Sequence, residues 1–328
     1  MKKGKIEVNE ISESTRKSFR TRVITSIVLM ILAIPSCIIG DWVFAAVLLI
    51  LSLIAYYEFI NMLAAKKFPI IIDIFVFVMS IILTYWVWFK QIADSGLINE
   101  AGHIVISDIS ISTLAMATTI LVLFLFALMY SRFDVTDVCY LVTMALVVSL
   151  GFQSFFFLRY CPMSELSGYY DYGGQPLQSC LLFFYVVIGT FMSDIGAYCT
   201  GILFGKHPMN PRISPKKTWE GFVGGIVISF ICSLTYAMIL DANGIPLLKS
   251  VLDIEHWYFI LIVSLVMPFV SVLGDLLFST IKRYYNKKDF SNVLPGHGGV
   301  LDRIDSLLVT SLVVTLLILS VTFYRGIL

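Results

Sequence analysis

Charged residues are scarce in this chain: Asp, Glu, Lys and Arg make up only 14% of its 328 residues, whereas 58% are hydrophobic. A soluble globular domain is usually about a quarter charged, so the composition argues against that class. The mean hydropathy of +0.89 is typical of an integral membrane protein. The formal net charge of +1 provides no strongly basic field, and we therefore predict no nucleic-acid partner.

Cysteine pairs at metal-binding or redox spacing are also absent. None of the six cysteines belongs to a Cys-x-x-Cys motif, which argues against a zinc site or a thioredoxin-like centre. Most are expected to be small apolar fillers in helices. Cys161 and Cys180 bracket one loop, and a disulfide between them is an alternative if that loop faces an oxidising space.

Long apolar runs dominate the sequence instead. A membrane-crossing helix needs roughly 20 mostly apolar residues. The candidate stretches lie at 23–40, 42–63, 69–89, 111–130, 138–158, 179–204, 218–240, 256–281 and 300–324. No small-residue cleavage site follows the first stretch, so it is predicted to be a retained helix rather than a signal peptide. The sequence thus predicts an all-α integral membrane protein, a polytopic bundle of about nine transmembrane helices.

The distribution of Lys and Arg predicts the orientation. With a cytosolic N-terminus, 18 of the 23 basic residues lie on the cytosolic side and 4 on the opposite side, as the positive-inside rule requires. The remaining one lies inside the last stretch. We therefore expect a bacterial-type inner membrane with the basic loops in the cytosol. The predicted regions are a basic tail (1–22), an N-terminal transmembrane region of about five helices (23–178) and a C-terminal region of about four (179–328).

Acidic residues lie inside the later apolar stretches, where a charged side chain costs on the order of 3 kcal/mol at a helix centre. Asp194, Asp275, Asp302 and Asp305 come from three predicted helices, and all fall in the cytosolic half. Asp194 and Asp275 have no basic residue beside them in the sequence. These positions therefore indicate a site rather than chance substitutions in a lipid-facing helix.

Helical spacing predicts that these carboxylates face one another. Asp275 is spaced i, i+4, i+7 with Ser279 and Lys282, and Asp302 is spaced i, i+3 with Asp305. A divalent cation between the acids is the simplest way to stabilise them, and oxygen ligands favour Mg²⁺. The alternative interpretation pairs Arg303 with an aspartate and treats Asp302 as a helix-start acid stabilised by the helix dipole. For Asp302 alone this alternative is about equally good.

Two cytosolic loops supply positive charge and backbone donors. In the first, Ser214 is predicted as an N-cap and the following proline as the first residue of a helix. This places Lys216 and Lys217 at an anion-binding helix N-terminus. An ordinary basic flank would explain the lysines but not Glu220 beyond them. The second loop carries the glycine-rich stretch 295–299, although a lone histidine in such a turn is usually an ordinary loop residue.

Acids in the first half are interpreted differently. Glu58 and Asp73 lie near the ends of predicted spans, where snorkelling to the surface or helix capping is the simpler explanation. No chemistry is assigned to the first five helices.

A cytosol-facing cleft that binds a metal and a polyphosphate suggests phosphoryl or nucleotidyl transfer to a lipid head group. The leading alternative is an ion-coupled secondary transporter, which also places carboxylates near broken helices. Transporter sites lie near the membrane midplane with access to both sides. These charges instead cluster on one side and continue into two basic loops, which favours an enzyme.

Residues 279–305 resemble the signature of the phosphatidate cytidylyltransferases, also called CDP-diacylglycerol synthases. The shared pattern is a serine, a Lys-Arg pair, a Lys-Asp pair, a His-Gly-Gly triplet and an Asp-Arg-x-Asp group. Its members here are Ser279, Lys282, Arg283, Lys288, Asp289, His297, Gly298, Gly299, Asp302, Arg303 and Asp305. Two further stretches, 193–206 and 214–221, also resemble the family, whereas the N-terminal half matches only in its hydrophobic layout and basic entry.

The resemblance implies that CTP and phosphatidate react to give CDP-diacylglycerol and pyrophosphate, with Mg²⁺ and a second metal site for K⁺ or Mg²⁺. It implies that Asp275, Asp302 and Asp305 bind metal, and the catalytic set is completed by Lys282, His297 and Arg303. The CTP- and phosphate-binding set is Asp194, Ser214, Lys216, Lys217, Thr218, Glu220, Ser279, Arg283, Lys288, Gly298 and Gly299. Membrane lipids are further partners, a homodimer is left open, and another lipid acceptor for CTP is the alternative activity.

Overall fold

The computed structural model describes residues 13–63, 68–95, 106–160, 180–248 and 251–324. Over these ranges the long helices are α1 (Glu13–Ile39), α2 (Asp41–Asn61), α3 (Ile70–Ser95), α4 (Ile106–Met129), α5 (Val135–Tyr160), α6 (Leu181–Phe204), α7 (Trp219–Ala242), α8 (Trp257–Tyr284) and α9 (Leu301–Tyr324). A short antiparallel hairpin, β1 (Pro208–Asn210) and β2 (Ser214–Thr218), lies between α6 and α7. The prediction of an α-helical protein is confirmed.

Six of these helices are long and apolar enough to cross a membrane: α2, α5, α6, α7, α8 and α9. In α1, α3 and α4 the apolar stretch within the described residues is shorter, at 27–39, 70–86 and 113–129. A multi-pass membrane protein is therefore supported, while the number of nine spans and the cytosolic N-terminus stay predictions.

Helix α5 lies at the centre of the N-terminal half, where it packs against α2, α3 and α4, and it also packs against α9. The surrounding core is aromatic. The buried ring of Tyr56 meets Phe59, Phe77 and Phe152 edge-on, at centroid distances of 6.2, 6.0 and 6.4 Å. Each such pair contributes about 0.5–1.5 kcal/mol beyond the burial of its area. This core places the N-terminal half firmly against the last helix.

Helices α6 and α7 pack closely through small residues. A Cβ atom on Gly225 would lie 2.7 Å from the carbonyl oxygen of Ser193, so a glycine is required at this crossing. The Ser229 hydroxyl donates to the carbonyl of Gly189 at 2.6 Å. This close approach brings Asp194, the residue after Ser193, beside the N-terminal end of α7.

The predicted start of the seventh helix is wrong. Ser214 is not a helix N-cap, because it begins strand β2, in which it lies opposite Asn210. The N-cap of α7 is Thr218, whose Oγ1 accepts a hydrogen bond from the Gly221 amide at 3.1 Å. Pairing with β1 overrides the local Ser-Pro signal, since strand formation depends on a partner that local sequence does not reveal. The two lysines of the loop therefore extend from a strand.

The alternative of a Cys161–Cys180 disulfide falls partly outside the described residues, because Cys161 is not among them. Cys37 and Cys180 are both buried, and their thiols contact each other through a hydrogen bond. Their burial agrees with the interpretation of most cysteines as small apolar fillers.

Candidate functional site

Four parts of the chain meet at one end of the C-terminal helices: the second half of α6, strand β2, the last turns of α8 and the first turn of α9. The loop 285–300 joins α8 to α9 and covers this end. These elements bring together the two predicted halves of the site, the aspartates and the basic loops.

Asp275 connects the aspartates to the basic loop that carries Lys217. Its Oδ1 accepts a hydrogen bond from Ser279 at 3.2 Å, as expected for residues one helical turn apart. Its Oδ2 forms an ion pair with the Lys217 ammonium group, which reaches it from β2. Both side chains are about one-quarter exposed, at 26% for Lys217 and 30% for Asp275. The exposed part of the lysine is its stem, since the Lys217 nitrogen itself is buried.

Lys282 lies further along the same face of α8 and is buried. Its Nζ donates to Asp302 Oδ1 at 2.8 Å and lies 4.0 Å from Asp305 Oδ2. The ring of Phe290 lies 5.5 Å from the ammonium group. The predicted face of Asp275, Ser279 and Lys282 is thus confirmed as one contiguous surface that meets α9.

Asp302 joins the loop to both helices. Besides the bond from Lys282, its Oδ2 accepts from the amides of Phe290 and Gly299, each at 2.9 Å, and the side chain is only 2% exposed. Three donors satisfy most of the accepting capacity of a carboxylate. In this arrangement Asp302 stabilises the loop. Its role as a metal ligand stays a prediction.

Asp305 has more accepting capacity available. Its Oδ1 accepts from the amide and hydroxyl of Ser306, at 2.7 and 3.3 Å, and its Oδ2 lies toward Lys282. Asp275 interacts electrostatically with both Asp194 and Asp305. Acids from α6, α8 and α9 are therefore near enough to influence one another, while their sharing of one ion stays a prediction.

A cavity of about 210 Å³ opens beside these acids, between α6, α7 and β2. Its polar lining comes from Asp194, Lys216, Lys217 and Thr218. Apolar and aromatic side chains form the rest of the wall: Ala197, Tyr198, Met209, Phe222 and Val272. Two ammonium groups beside aromatic rings suit a phosphorylated ligand with a flat base.

The glycine-rich turn is shaped by close contacts. Gly298 has a φ of +87°, and a Cβ there would lie 3.1 Å from an oxygen of Asp302. Its neighbour His297 donates its amide hydrogen to the Leu294 carbonyl at 3.0 Å. The triplet therefore lets the loop fold back over the start of α9.

Other predicted residues lie around the site rather than in it. Glu220 accepts from the amides of Lys206 and His207 and contacts the His207 ring at 2.5 Å, so it holds the hairpin against α7. Arg283 donates to the carbonyls of Ile213 and Lys287. The remaining predicted site residues on the outside are Ser214 on β2, half-buried, and Lys288 and Arg303, both exposed. Within the described chain, Arg303 pairs with no carboxylate, so the alternative pairing of Asp302 with it is wrong.

Sequence reasoning missed the contribution of Glu58, on α2. Its carboxylate is fully buried and accepts three hydrogen bonds from the loop and from the start of α9. It is indeed a capping residue, but it caps another helix far along the chain. Only its position in an apolar stretch distinguished it, and that signal does not reveal its partner.

Comparison with known proteins identifies the family of this chain. A model of the cytidylyltransferase family matches residues 20–321. A phosphatidate cytidylyltransferase of Staphylococcus epidermidis is 30% identical over 290 residues, covering 88% of this chain and 94% of that protein. The enzymes of that name from Staphylococcus saprophyticus and Staphylococcus haemolyticus are also 30% identical. These alignments cover 92% and 88% of this chain, and 100% and 94% of the relatives.

Proposed function

Because this chain belongs to the cytidylyltransferase family, we propose that it transfers the cytidylyl group of CTP to phosphatidate. The products are CDP-diacylglycerol, a precursor for phospholipid biosynthesis, and pyrophosphate. The chain is a nucleotidyltransferase. The relatives that it matches over nearly their whole length are named phosphatidate cytidylyltransferase. The observation that best supports the proposal is the position of Lys217, which lines the cavity and also contacts Asp275.

The chemistry requires charge neutralisation more than proton transfer. A phosphate oxygen of phosphatidate attacks the α-phosphorus of CTP, a new P–O bond forms, and the bond to the bridging oxygen breaks as pyrophosphate leaves. The nucleophile is already an anion, so no strong general base is needed. The site must bring two anions together and stabilise the negative charge that develops between them.

The lysines and the neighbouring polar groups are suited to these tasks. Lys216 and Lys217 bind the triphosphate in the cavity, with Thr218 and Asp194 beside it. Lys282 and Ser279 orient phosphate near the aspartates. Lys217 exchanges its contact with Asp275 for a phosphate oxygen when CTP binds, which links nucleotide binding to the release of a carboxylate.

Asp275 and Asp305 are the proposed ligands of Mg²⁺, with Asp302 beside them and a second site for K⁺ or Mg²⁺. Carboxylate oxygens are the donors that a hard divalent cation prefers, so the residues fit the ion. Within the described chain no three acidic, His or Cys side chains lie at ligand spacing as they stand. Mg²⁺ supplies charge neutralisation at the phosphates when bound.

The membrane arrangement follows the predicted orientation. We place the N-terminus and the site on the cytosolic side of a bacterial inner membrane, with nine spans, so that soluble CTP and membrane-bound phosphatidate reach one cleft. A homodimer stays an open possibility. Another lipid acceptor is the second candidate, because the cavity and its lysines specify a nucleotide and not the lipid. Family membership argues against the transporter alternative.

The direct test is an assay of purified protein with CTP labelled in its cytosine ring, phosphatidate and Mg²⁺. We expect label to move into the lipid phase with an equal amount of pyrophosphate. Transfer to a polyprenyl phosphate but not to phosphatidate would identify the second candidate. Absence of transfer to any lipid phosphate would contradict the proposal.

A further inference from the structure

Glu58 links the N-terminal half of the molecule to the reactive end of α9. It lies on α2, outside the 279–305 signature, and its side chain is completely buried. Its Oε1 accepts from the Ser291 hydroxyl at 2.6 Å and from the Val300 amide at 2.8 Å. Its Oε2 accepts from the Leu301 amide, also at 2.8 Å. One carboxylate therefore holds both the loop and the first turn of a helix on the far side of the site.

The two amides are the ones that a helix cannot satisfy by itself. Helix α9 begins at Leu301, and the first amides of a helix lack intrahelical acceptors. A carboxylate at this end also interacts favourably with the helix dipole. Glu58 thus serves as an N-cap supplied from another helix, at a position where the chain has a valine and no capping side chain of its own.

The fit between Glu58 and the turn is tight. A Cβ atom on Gly299 would lie 2.8 Å from each oxygen of Glu58. The amide of the same glycine donates to Asp302 at 2.9 Å. Gly299 therefore lies between two carboxylates, one from α2 and one from α9, and the absence of its side chain allows both to approach.

We propose that Glu58 is a positioning residue for the transfer reaction. By capping α9 from outside, it holds Asp302 and Asp305 in register with Lys282 and Asp275. It does not line the cavity, and its oxygens accept from three donors, so we assign its effect to α9 and the loop. This inference rests on the proposed function, because it assigns Glu58 a role in aligning that site.

Glu58→Gln is the most informative substitution, because it keeps the shape of the side chain while removing its charge and one of its two accepting oxygens. An amide has a single oxygen, and its NH₂ group donates. If that oxygen replaces Oε1, the NH₂ group faces the Leu301 amide; in the other orientation it faces the Val300 amide. Either way one amide of α9 loses its acceptor and meets another donor. Asp73→Asn is the matched control, since it makes the same change on a half-buried acid of α3.

Two measurements test the proposal. The first is amide hydrogen exchange of segment 299–302 in detergent, which does not depend on activity. We expect Glu58→Gln to accelerate exchange there by about tenfold, as loss of a charge-assisted hydrogen bond predicts. The second is steady-state kinetics with CTP and phosphatidate, in which kcat should fall by about tenfold or more while KM for CTP changes little. Asp73→Asn should alter neither quantity.

Unchanged exchange at 299–302 in Glu58→Gln would overturn the proposal, and so would faster exchange with an unaltered kcat. If Glu58→Gln does not fold, Glu58→Asp decides, because its shorter side chain keeps the charge but holds the oxygens further from the two amides. It should shift exchange and kcat in the same directions by a smaller factor, and wild-type values for both would count against the inference. A wild-type protein that is inactive with CTP and phosphatidate would instead refute the proposed function, whereas the exchange result would still test the cap.

Discussion

The two halves of the molecule stabilise their buried groups in different ways. Around α5 the buried side chains are mostly aromatic and aliphatic, and neutral hydroxyls pair among them, as in the 2.7 Å contact between Ser52 of α2 and Tyr85 of α3. At the end of α6, α8 and α9 charged groups pair instead: the buried Lys282 of α8 with Asp302 of α9, and the partly exposed Lys217 of β2 with Asp275 of α8. The first half therefore contributes mainly to stability through packing. The second half presents charged groups that can bind a phosphorylated substrate. Glu58 adds a polar contact to the packing of α5 against α9, through which the first half supports the charged one.

Removal of metal should have the largest effect on activity, and it should affect the charged half of the molecule without affecting the fold of the packing half. Excess EDTA is expected to reduce transfer to background, because the aspartates and phosphates repel one another without a divalent cation. Added Mg²⁺ should restore the activity. Circular dichroism should show unchanged helix content, since packing around α5 does not depend on the ion. Full activity in EDTA would remove the metal from the proposal.

Neutralising one aspartate should come next. Asp305→Asn or Asp275→Asn is expected to lower kcat on the order of 10²–10³-fold, comparable to the loss of one preorganised electrostatic contact. In Asp305→Asn the amide oxygen can still accept from Ser306, so the fold should persist. Steady-state kinetics together with the melting temperature in detergent checks this. Wild-type turnover in either variant would contradict the assignment of that residue.

Removal of the Lys217 ammonium group should have a moderate effect on nucleotide binding. Lys217→Ala is expected to raise KM for CTP by about tenfold, the usual consequence of losing one hydrogen bond to a charged group. Lys206→Ala is the matched control, because Lys206 lies at the start of the same loop and outside the cavity. CTP titrations at saturating phosphatidate measure both. A change confined to the KM for phosphatidate would show that Lys217 binds the lipid substrate rather than the nucleotide.

A substitution in the packing half should have the smallest effect, and on stability alone. Ser52→Ala removes the contact with Tyr85 and is expected to lower the free energy of unfolding by about 1 kcal/mol. The melting temperature in detergent should decrease while kcat and KM stay at wild-type values. A tenfold loss of kcat in this variant would mean that the two halves are coupled more broadly than through Glu58.

Much of the site was predictable because its signals are local. The i, i+4, i+7 spacing of Asp275, Ser279 and Lys282 requires only a helix, and the structure confirms that face. Acids in apolar stretches identified the remaining carboxylates, since lipid tolerates few of them. The pairing of Lys217 with Asp275 was not predictable, because it depends on where strand β2 lies. The Ser-Pro start signal at Ser214 was misleading for the same reason, since β1 provides a pairing partner that the local pattern does not reveal.

Composition and periodicity by themselves determined that this is a helical membrane protein with a charged site near the last helices. They were sufficient because only long apolar helices are stable in lipid, and because a charged residue within such a helix is costly and therefore rare. Only the tertiary structure decided which charges pair, which turn begins α7, and that a glutamate of α2 caps α9. The contact of Glu58 with Leu301 joins residues 243 positions apart, and Lys217 reaches Asp275 from a different element of the fold. Such geometry arises from the packing of whole elements rather than from any one segment.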